Sequence, residues 1–168
     1  MRRAWSRVLP DTDLTGLMIT LQSARVNVLV TRLMSRIGKD FGGLGCPDIS
    51  VLMALRLEPE QTSRPSDLGK QFNITPAAIT YRVNRLSGMG LVERRTDPGD
   101  KRVVSAKLTP EGERTIDSVM SLISAATLEQ TRCLETFANG GKALVVLLGN
   151  LVENWEGAEA SGDPAAAD

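Results

Sequence analysis

Residues 65–112 read PSDLGKQFNITPAAITYRVNRLSGMGLVERRTDPGDKRVVSAKLTPEG, and the order of signals in this stretch decides the fold. Ser63 can cap a helix running from Arg64 to Phe72, with Pro65 in the first turn, where a missing N–H costs nothing. Asn73-Ile74 supplies a turn. Thr75 then caps a second short helix, with Pro76 at its first position. That helix runs to about Ser87 and stops at Gly88 and Gly90. Val92 to Thr96 and Arg102 to Leu108 are strand candidates. Between them, Asp97-Pro98-Gly99-Asp100 places Pro second and Gly third, as a type II turn requires. Two short helices followed by a hairpin form a helix-turn-helix with a β wing, an arrangement suited to reading double-stranded DNA.

Outside this core, Leu14, Leu17, Met18, Leu21, Val28, Leu29, Leu33 and Ile37 keep a helical spacing over Leu14–Ile37. Asp11, Thr12 and Asp13 offer a cap and first-turn acids. The helix is expected to end near Gly42-Gly43. Pro47-Asp48 opens a second helix, Ile49–Leu57, with Val51, Leu52 and Leu55 inward. After the wing, Thr109-Pro110 caps a fifth helix whose apolar positions Ile116, Val119, Met120, Ile123 and Leu128 carry it to about Arg132. Asn139-Gly140-Gly141 breaks the pattern, and Ala143–Trp155 is the final helix. The predicted fold class is mostly α with a small β-hairpin wing: a winged helix-turn-helix lobe at about 47–109 plus a helical dimerisation arm at about 11–41 and 110–156. Residues 1–156 form one such chain, and 157–168, rich in Ala, Gly, Asp and Pro, is expected to be a disordered tail.

The chain has 168 residues and 42% hydrophobic content, enough for a core, but only 4% aromatic residues. No apolar run of about 18 residues suggests a membrane span, and the basic N-terminus lacks the apolar stretch of a secretory signal. Lys plus Arg and Asp plus Glu each number 20, so the net charge is zero. The balance hides an asymmetry: from Arg64 to Leu108 there are nine basic and four acidic residues, a net +5, leaving −5 elsewhere. A basic module within an acidic chain suits phosphate binding and keeps the remainder off the nucleic acid.

On a wheel of 100° per residue, Ile79, Val83 and Leu86 form the buried arc of the second helix-turn-helix helix. The opposite arc holds Ala77, Tyr81, Asn84 and Arg85, with Thr80 on its flank. Small residues allow close approach to the major groove, and Thr80, Tyr81, Asn84 and Arg85 can reach base edges or phosphates. The helix N-terminus at Thr75, Pro76 and Ala77 can face a phosphate. In the wing, Lys101 and Arg102 can reach an adjacent minor groove, while Asp100 would pair with Arg94 or Arg95 to stiffen the tip. The bland alternatives are a solvated helix face and a solvated charged turn. The arm helices carry more apolar surface than one winged module covers, so Leu14, Leu17, Leu21, Leu144, Leu147, Leu148, Leu151 and Trp155 are the candidate dimer residues. The alternative is packing of these helices on each other within one chain.

The run GLVERRTDPGDKRVVSAKLTPEG closely resembles the wing of the MarR family of bacterial transcription regulators, and Ser66-Asp67-Leu68-Gly69 and Ile74-Thr75 through Leu86 fit that family's helix-turn-helix. The resemblance covers about Leu14 to Trp155. It implies that Arg102 is the minor-groove arginine, with Asp100 and Arg94 positioning it. It also implies a cytoplasmic homodimer whose arm comes from the first and last helices. Such a dimer binds a palindromic DNA operator, represses, and is released by a small-molecule effector, often anionic or phenolic, or by an oxidant. The effector would lodge between the first, second and fifth helices and the DNA lobe.

Redox-sensing members place a cysteine near the start of the first helix; here Cys46 follows Gly42-Gly43 and Cys133 lies near the end of the fifth helix. The plain reading is two reduced thiols, and the alternative is a cysteine-based redox sensor. There is no histidine, which removes Ser-His-Asp and Cys-His chemistry, and no phosphate-cradling Gly-rich loop with a lysine is present. No enzyme activity, metal or cofactor is expected. A winged-helix adaptor that binds protein rather than DNA is the rival class, against which Arg85, Arg94 and Arg102 weigh.

Overall fold

The computed structural model describes residues 2–71, 74–96, 104–136 and 139–161. Along the chain these are α1 (Arg2–Val8), α2 (Thr15–Gly38), α3 (Cys46–Leu57), β1 (Thr62–Ser63), α4 (Pro65–Gln71), α5 (Pro76–Gly88), β2 (Val92–Thr96), β3 (Val104–Leu108), α6 (Pro110–Thr131) and α7 (Gly140–Ser161). Short 3₁₀ turns follow α2 at Lys39–Phe41 and α6 at Arg132–Thr136. Contacts divide the chain into two compact units, Met1–Ile123 and Ser124–Asp168.

The first unit holds the core. Leu44, Ile49, Leu52, Leu55, Leu68, Ile79, Val83, Leu86, Val92, Leu108, Ile116 and Val119 form one buried cluster. The arc Ile79–Val83–Leu86 of α5 is therefore inward, as its spacing dictates. Strands run in the order β1-β3-β2, all antiparallel, with Val92 opposite Leu108 and Thr96 opposite Val104. β1 is an element the sequence did not announce: Thr62 and Ser63 pair with Lys107 and Ala106. Ser63 is thus a strand residue, not the cap of α4. The first turn of α4 instead closes on Arg64, whose carbonyl accepts from Asp67 and Leu68 N–H.

Other boundaries moved as well, the start of α3 among them, at Cys46 rather than Ile49. α2 stops at Gly38, short of Gly42-Gly43, because Leu44 N–H turns back to donate to the Gly38 carbonyl at 2.8 Å. Gly42 and Gly43, at φ 73° and 76°, carry the left-handed turn between them. α7 starts at Gly140 and continues to Ser161, five residues into the stretch expected as tail. α1 was not anticipated. The tip Asp97-Pro98-Gly99-Asp100, with Lys101 and Arg102, lies outside the described residues, as do Phe72 and Asn73.

The junction between α5 and the wing is closed by a Schellman arrangement. Gly90 takes φ 73°, Leu91 N–H donates to Leu86 O at 3.0 Å, and Gly90 N–H to Ser87 O at 3.0 Å. Thr109 latches the other side. Its hydroxyl donates to Gly90 O at 2.8 Å and accepts from Gly112 N–H at 3.0 Å, so the α6 cap also ties the wing base to the end of α5. Gly112 is packed so closely that a Cβ would lie 2.0 Å from Leu91 O and 3.0 Å from Leu108 Cδ1. Backbone cannot retreat from such a clash as a flexible side chain can. Gly112→Ala is expected to destabilise this unit by about 3 kcal/mol, the upper end of ordinary overpacking. A urea midpoint equal to that of the parent would overturn this.

α3 and α6 are joined by Arg56, which reaches Asp117 at 3.0 Å and Glu113 at 3.3 Å. The Asp117 hydrogen bond and charge hold the Arg56 guanidinium more firmly protonated than usual. Arginine is charged throughout the physiological range, so this link carries no pH switch.

In the second unit, α7 stands largely uncovered: Val145 is 72% exposed, Leu147 63% and Trp155 48%. Leu144 and Leu148 are also exposed, and Leu151 is half-buried. In the first unit, Leu17 and Leu21 are half-buried, but Leu14 is only 5% exposed. Leu14 is therefore covered by its own chain, and its burial does not require a second copy. No helix among the described residues is long and apolar enough to cross a membrane.

Candidate nucleic-acid interface

α5 is fixed at its start by Thr75, whose hydroxyl accepts from Ala78 N–H at 3.3 Å, with Pro76 at the first helical position. Ala77, Thr80, Tyr81 and Asn84 are all exposed, and Tyr81 is 60% so. This is the arc opposite Ile79, Val83 and Leu86. Thr80 Oγ1 donates back to Pro76 O at 2.7 Å, which orients the hydroxyl along the helix. The face is thus small at its N-terminus and polar further on.

Among the described residues, a side-chain hydrogen bond joins the wing to this face. Arg94 on β2 donates from Nη1 to Asn84 Oδ1 at 2.8 Å, so the strand arginine and the helix amide are held side by side. Next to it, Arg95 Nε donates to Glu93 at 2.7 Å. Of the wing residues singled out in the sequence, Arg94 is therefore placed beside α5, while Asp100, Lys101 and Arg102 fall outside the described residues.

Arg85 departs from expectation. Its guanidinium does not project with Tyr81 and Asn84 but turns inward: Nε donates to Asp48 Oδ2 at 3.2 Å and Nη2 to Gly43 O at 2.8 Å. Arg82 Nη1 donates to the other oxygen of the same carboxylate at 3.3 Å. Asp48 is 1% exposed and also accepts from Gly45 N–H at 3.0 Å, closing the first turn of α3. The wheel placed Arg85 about 70° from the centre of the exposed arc, where a long side chain can turn either way. The carboxylate decides it. Asp48 is the residue that sequence reasoning missed; it read as a helix opener, and nothing in a linear chain links it to arginines 34 and 37 positions away.

Neither thiol is carried by α5 or the wing strands. Cys46 is half-buried, with Sγ 3.6 Å from Met34 Sδ and 3.9 Å from Thr31 Oγ1. Cys133 is exposed on the turn after α6, with Sγ 3.5 Å from Gln130 O. Among the described residues no three Cys, Asp or Glu side chains cluster as metal ligands would.

Comparison with known proteins places this architecture. Residues 47–104, from the start of α3 to the far strand of the wing, match the MarR family. The HTH-type transcriptional repressor YetL of Bacillus subtilis is 32% identical over 120 residues, 67% of this chain and 68% of its own. The uncharacterized HTH-type regulator YdgJ of the same organism is 37% identical over 67 residues, 40% of each chain. Among solved structures, wild-type MarR from E. coli, in its apo form, superposes with a TM-score of 0.67 at 25% identity, covering 84% of this chain and 98% of that one. A MarR mutant from E. coli solved with operator DNA matches at a TM-score of 0.62, also at 25% identity, covering 83% of this chain and 99% of that one. The α5 face, the three-stranded wing and these matches make this chain a member of the MarR family of transcriptional regulators.

Proposed function

We propose that this chain is a DNA-binding transcriptional repressor, not an enzyme, that acts in the cytoplasm as a homodimer on a palindromic operator. The observation that carries this is the exposed arc of α5, Ala77–Tyr81–Asn84, with Arg94 docked against Asn84 at 2.8 Å. The helix enters the major groove. Thr75, Pro76 and Ala77 set the depth of entry at a phosphate; Thr80 and Tyr81 flank the bases. Arg94 occupies the carbonyl oxygen of Asn84, which leaves its NH₂ to donate to a base edge. Arg102, at the wing tip, takes the minor-groove role that the family resemblance gives it, with Lys101 on a phosphate and Asp100 steadying the tip. The E. coli MarR mutant complexed with operator DNA supports the reading by fold and family.

Dimerisation is carried by the apolar residues of α7 and by the face of α2 around Leu17 and Leu21. A small-molecule effector releases the operator; its identity is not written in any motif of the chain. A redox sensor based on cysteine is not favoured, because Cys46 is packed against α2 and neither thiol lies near the start of the first long helix, where the resemblance would place a sensing cysteine. A protein-binding adaptor predicts no preference among DNA sequences. Arg102→Ala is expected to weaken operator binding by about 1–3 kcal/mol without changing the melting temperature. Fluorescence anisotropy at matched salt checks this, and equal affinity of variant and parent overturns the minor-groove role.

A further inference from the structure

We propose that Asp48 is a specificity-determining residue: by holding Arg82 and Arg85, it withholds two guanidinium groups of the DNA-reading helix from the phosphate backbone. This rests on the reading of α5 as that helix.

The geometry is a clamp. One carboxylate, 1% exposed, takes Arg82 on one oxygen at 3.3 Å and Arg85 on the other at 3.2 Å. The Gly43 carbonyl takes the outer nitrogen of Arg85 at 2.8 Å. The Arg82 guanidinium also lies 5.3 Å from the centre of the Tyr81 ring. The two arginine side chains are 31% and 33% exposed, so both are held at the edge of the lobe with a short path to water.

A cluster of two cations and one anion at this edge does something that uncharged packing would not. Contacts to phosphate position a protein but carry no sequence information. A guanidinium free to swing beside the reading helix would add affinity for any duplex, and specificity is a ratio between the operator and all other DNA. Tying both arginines to Asp48 lowers affinity for random DNA more than affinity for the operator, which is read by Thr80, Tyr81 and Asn84. The clamp also fastens α5 to the start of α3 and to the Gly42-Gly43 turn, which fixes the register in which that face is presented. Take the carboxylate away, and two half-covered guanidiniums face each other with no counter-charge. Removing one partner of a buried ion pair is strongly unfavourable, and the relief open to these side chains is outward, toward phosphate.

The test is Asp48→Asn in the full-length protein, which keeps an acceptor for Gly45 N–H but removes the charge. Binding is measured by anisotropy on a duplex that the parent protein selects from a random pool and on a random-sequence duplex of equal length, across a salt series. For the variant, affinity for the random duplex is expected to rise about tenfold at 0.1 M salt for each phosphate gained. The log–log salt slope should steepen by about one to two, and the ratio of selected to random affinity should fall. Asp48→Asn combined with Arg82→Gln and Arg85→Gln is expected to restore the parent slope. An unchanged slope in folded Asp48→Asn overturns the proposal, and so does a steepening that persists in the triple variant. If circular dichroism shows that Asp48→Asn does not fold, Arg82→Gln and Arg85→Gln are each measured with Asp48 in place. Withheld arginines predict no change in slope, whereas a slope shallower by about one in either variant places that arginine on a phosphate and overturns the clamp. If the parent protein selects no sequence from the pool, the DNA-binding reading itself fails, an outcome separate from any of these.

Discussion

Leu148→Glu is expected to convert the protein from dimer to monomer and to remove tight operator binding with it. Leu144, Leu147, Leu148, Leu151 and Trp155 fall within one stripe of α7 at 100° per residue, and Leu147 and Trp155 are 63% and 48% exposed. Val145, Val146 and Val152 widen the apolar surface beyond that stripe, at 72%, 61% and 52% exposed. A helix apolar on so many sides is a helix meant to be covered, and a second copy is the partner whose apolar face is guaranteed to be available. A carboxylate at Leu148 would have to be buried without a counter-charge, which association cannot offset. The effect on DNA follows from linkage. Two lobes joined in one dimer address two half-sites roughly 34 Å apart, and the second contact forms at high effective concentration. Loss of the dimer therefore costs about 10²–10⁴-fold in operator affinity, with α5 itself intact. Sedimentation velocity and anisotropy on the same samples decide it. A variant that stays dimeric, or a monomer that binds the full operator as tightly as the parent, shows that α7 is not the dimer element.

The same linkage constrains the effector. A ligand that binds equally to the DNA-competent and the released arrangement shifts nothing, however tight it is; it must favour the released one. Any effector found by screening should therefore bind more weakly in the presence of operator, by the same factor as it weakens the operator.

The elements legible in the sequence were those that local chemistry specifies. Thr75-Pro76 and Thr109-Pro110 each pair a capping hydroxyl with a residue that cannot donate, and α5 and α6 begin where these say they do. Val92–Thr96 is bounded by Gly90 and by the turn residues after it, and β2 has those limits. What escaped was set by partners remote in the chain. β1 is two residues long and exists because Lys107 and Ala106 on β3 offer it a ladder; alone, Thr62-Ser63 has no strand pattern to read. α2 gives way at Gly38 because Leu44 folds back onto it, a contact invisible to periodicity. The inward turn of Arg85 depends on a buried acid 37 residues earlier. In the interface, the helix face was readable from its wheel, but the state of each charge on it was not.

That distinction bears on the salt response, where the second large effect is expected. Raising salt from 50 to 200 mM should weaken operator binding on the order of 10³-fold if about six phosphates are neutralised by the dimer. The formal +5 of residues 64–108 would suggest more, but formal charge overstates what is available. Arg82 and Arg85 are held by Asp48, and Arg95 faces Glu93. Each lobe still presents Arg64 and Lys70, both exposed, and the half-buried Lys107, with Lys101 and Arg102 added by the sequence of the wing. Lys70 is 84% exposed and only 3.8 Å from Asp67, a surface pair that phosphate can displace at little cost. Three phosphates from each lobe are thus within reach without breaking the clamp. A flat salt response would remove the groove-binding reading altogether. A slope corresponding to about ten phosphates rather than six would mean that the clamped arginines have joined the backbone in the bound state, so that the lobe rearranges on DNA.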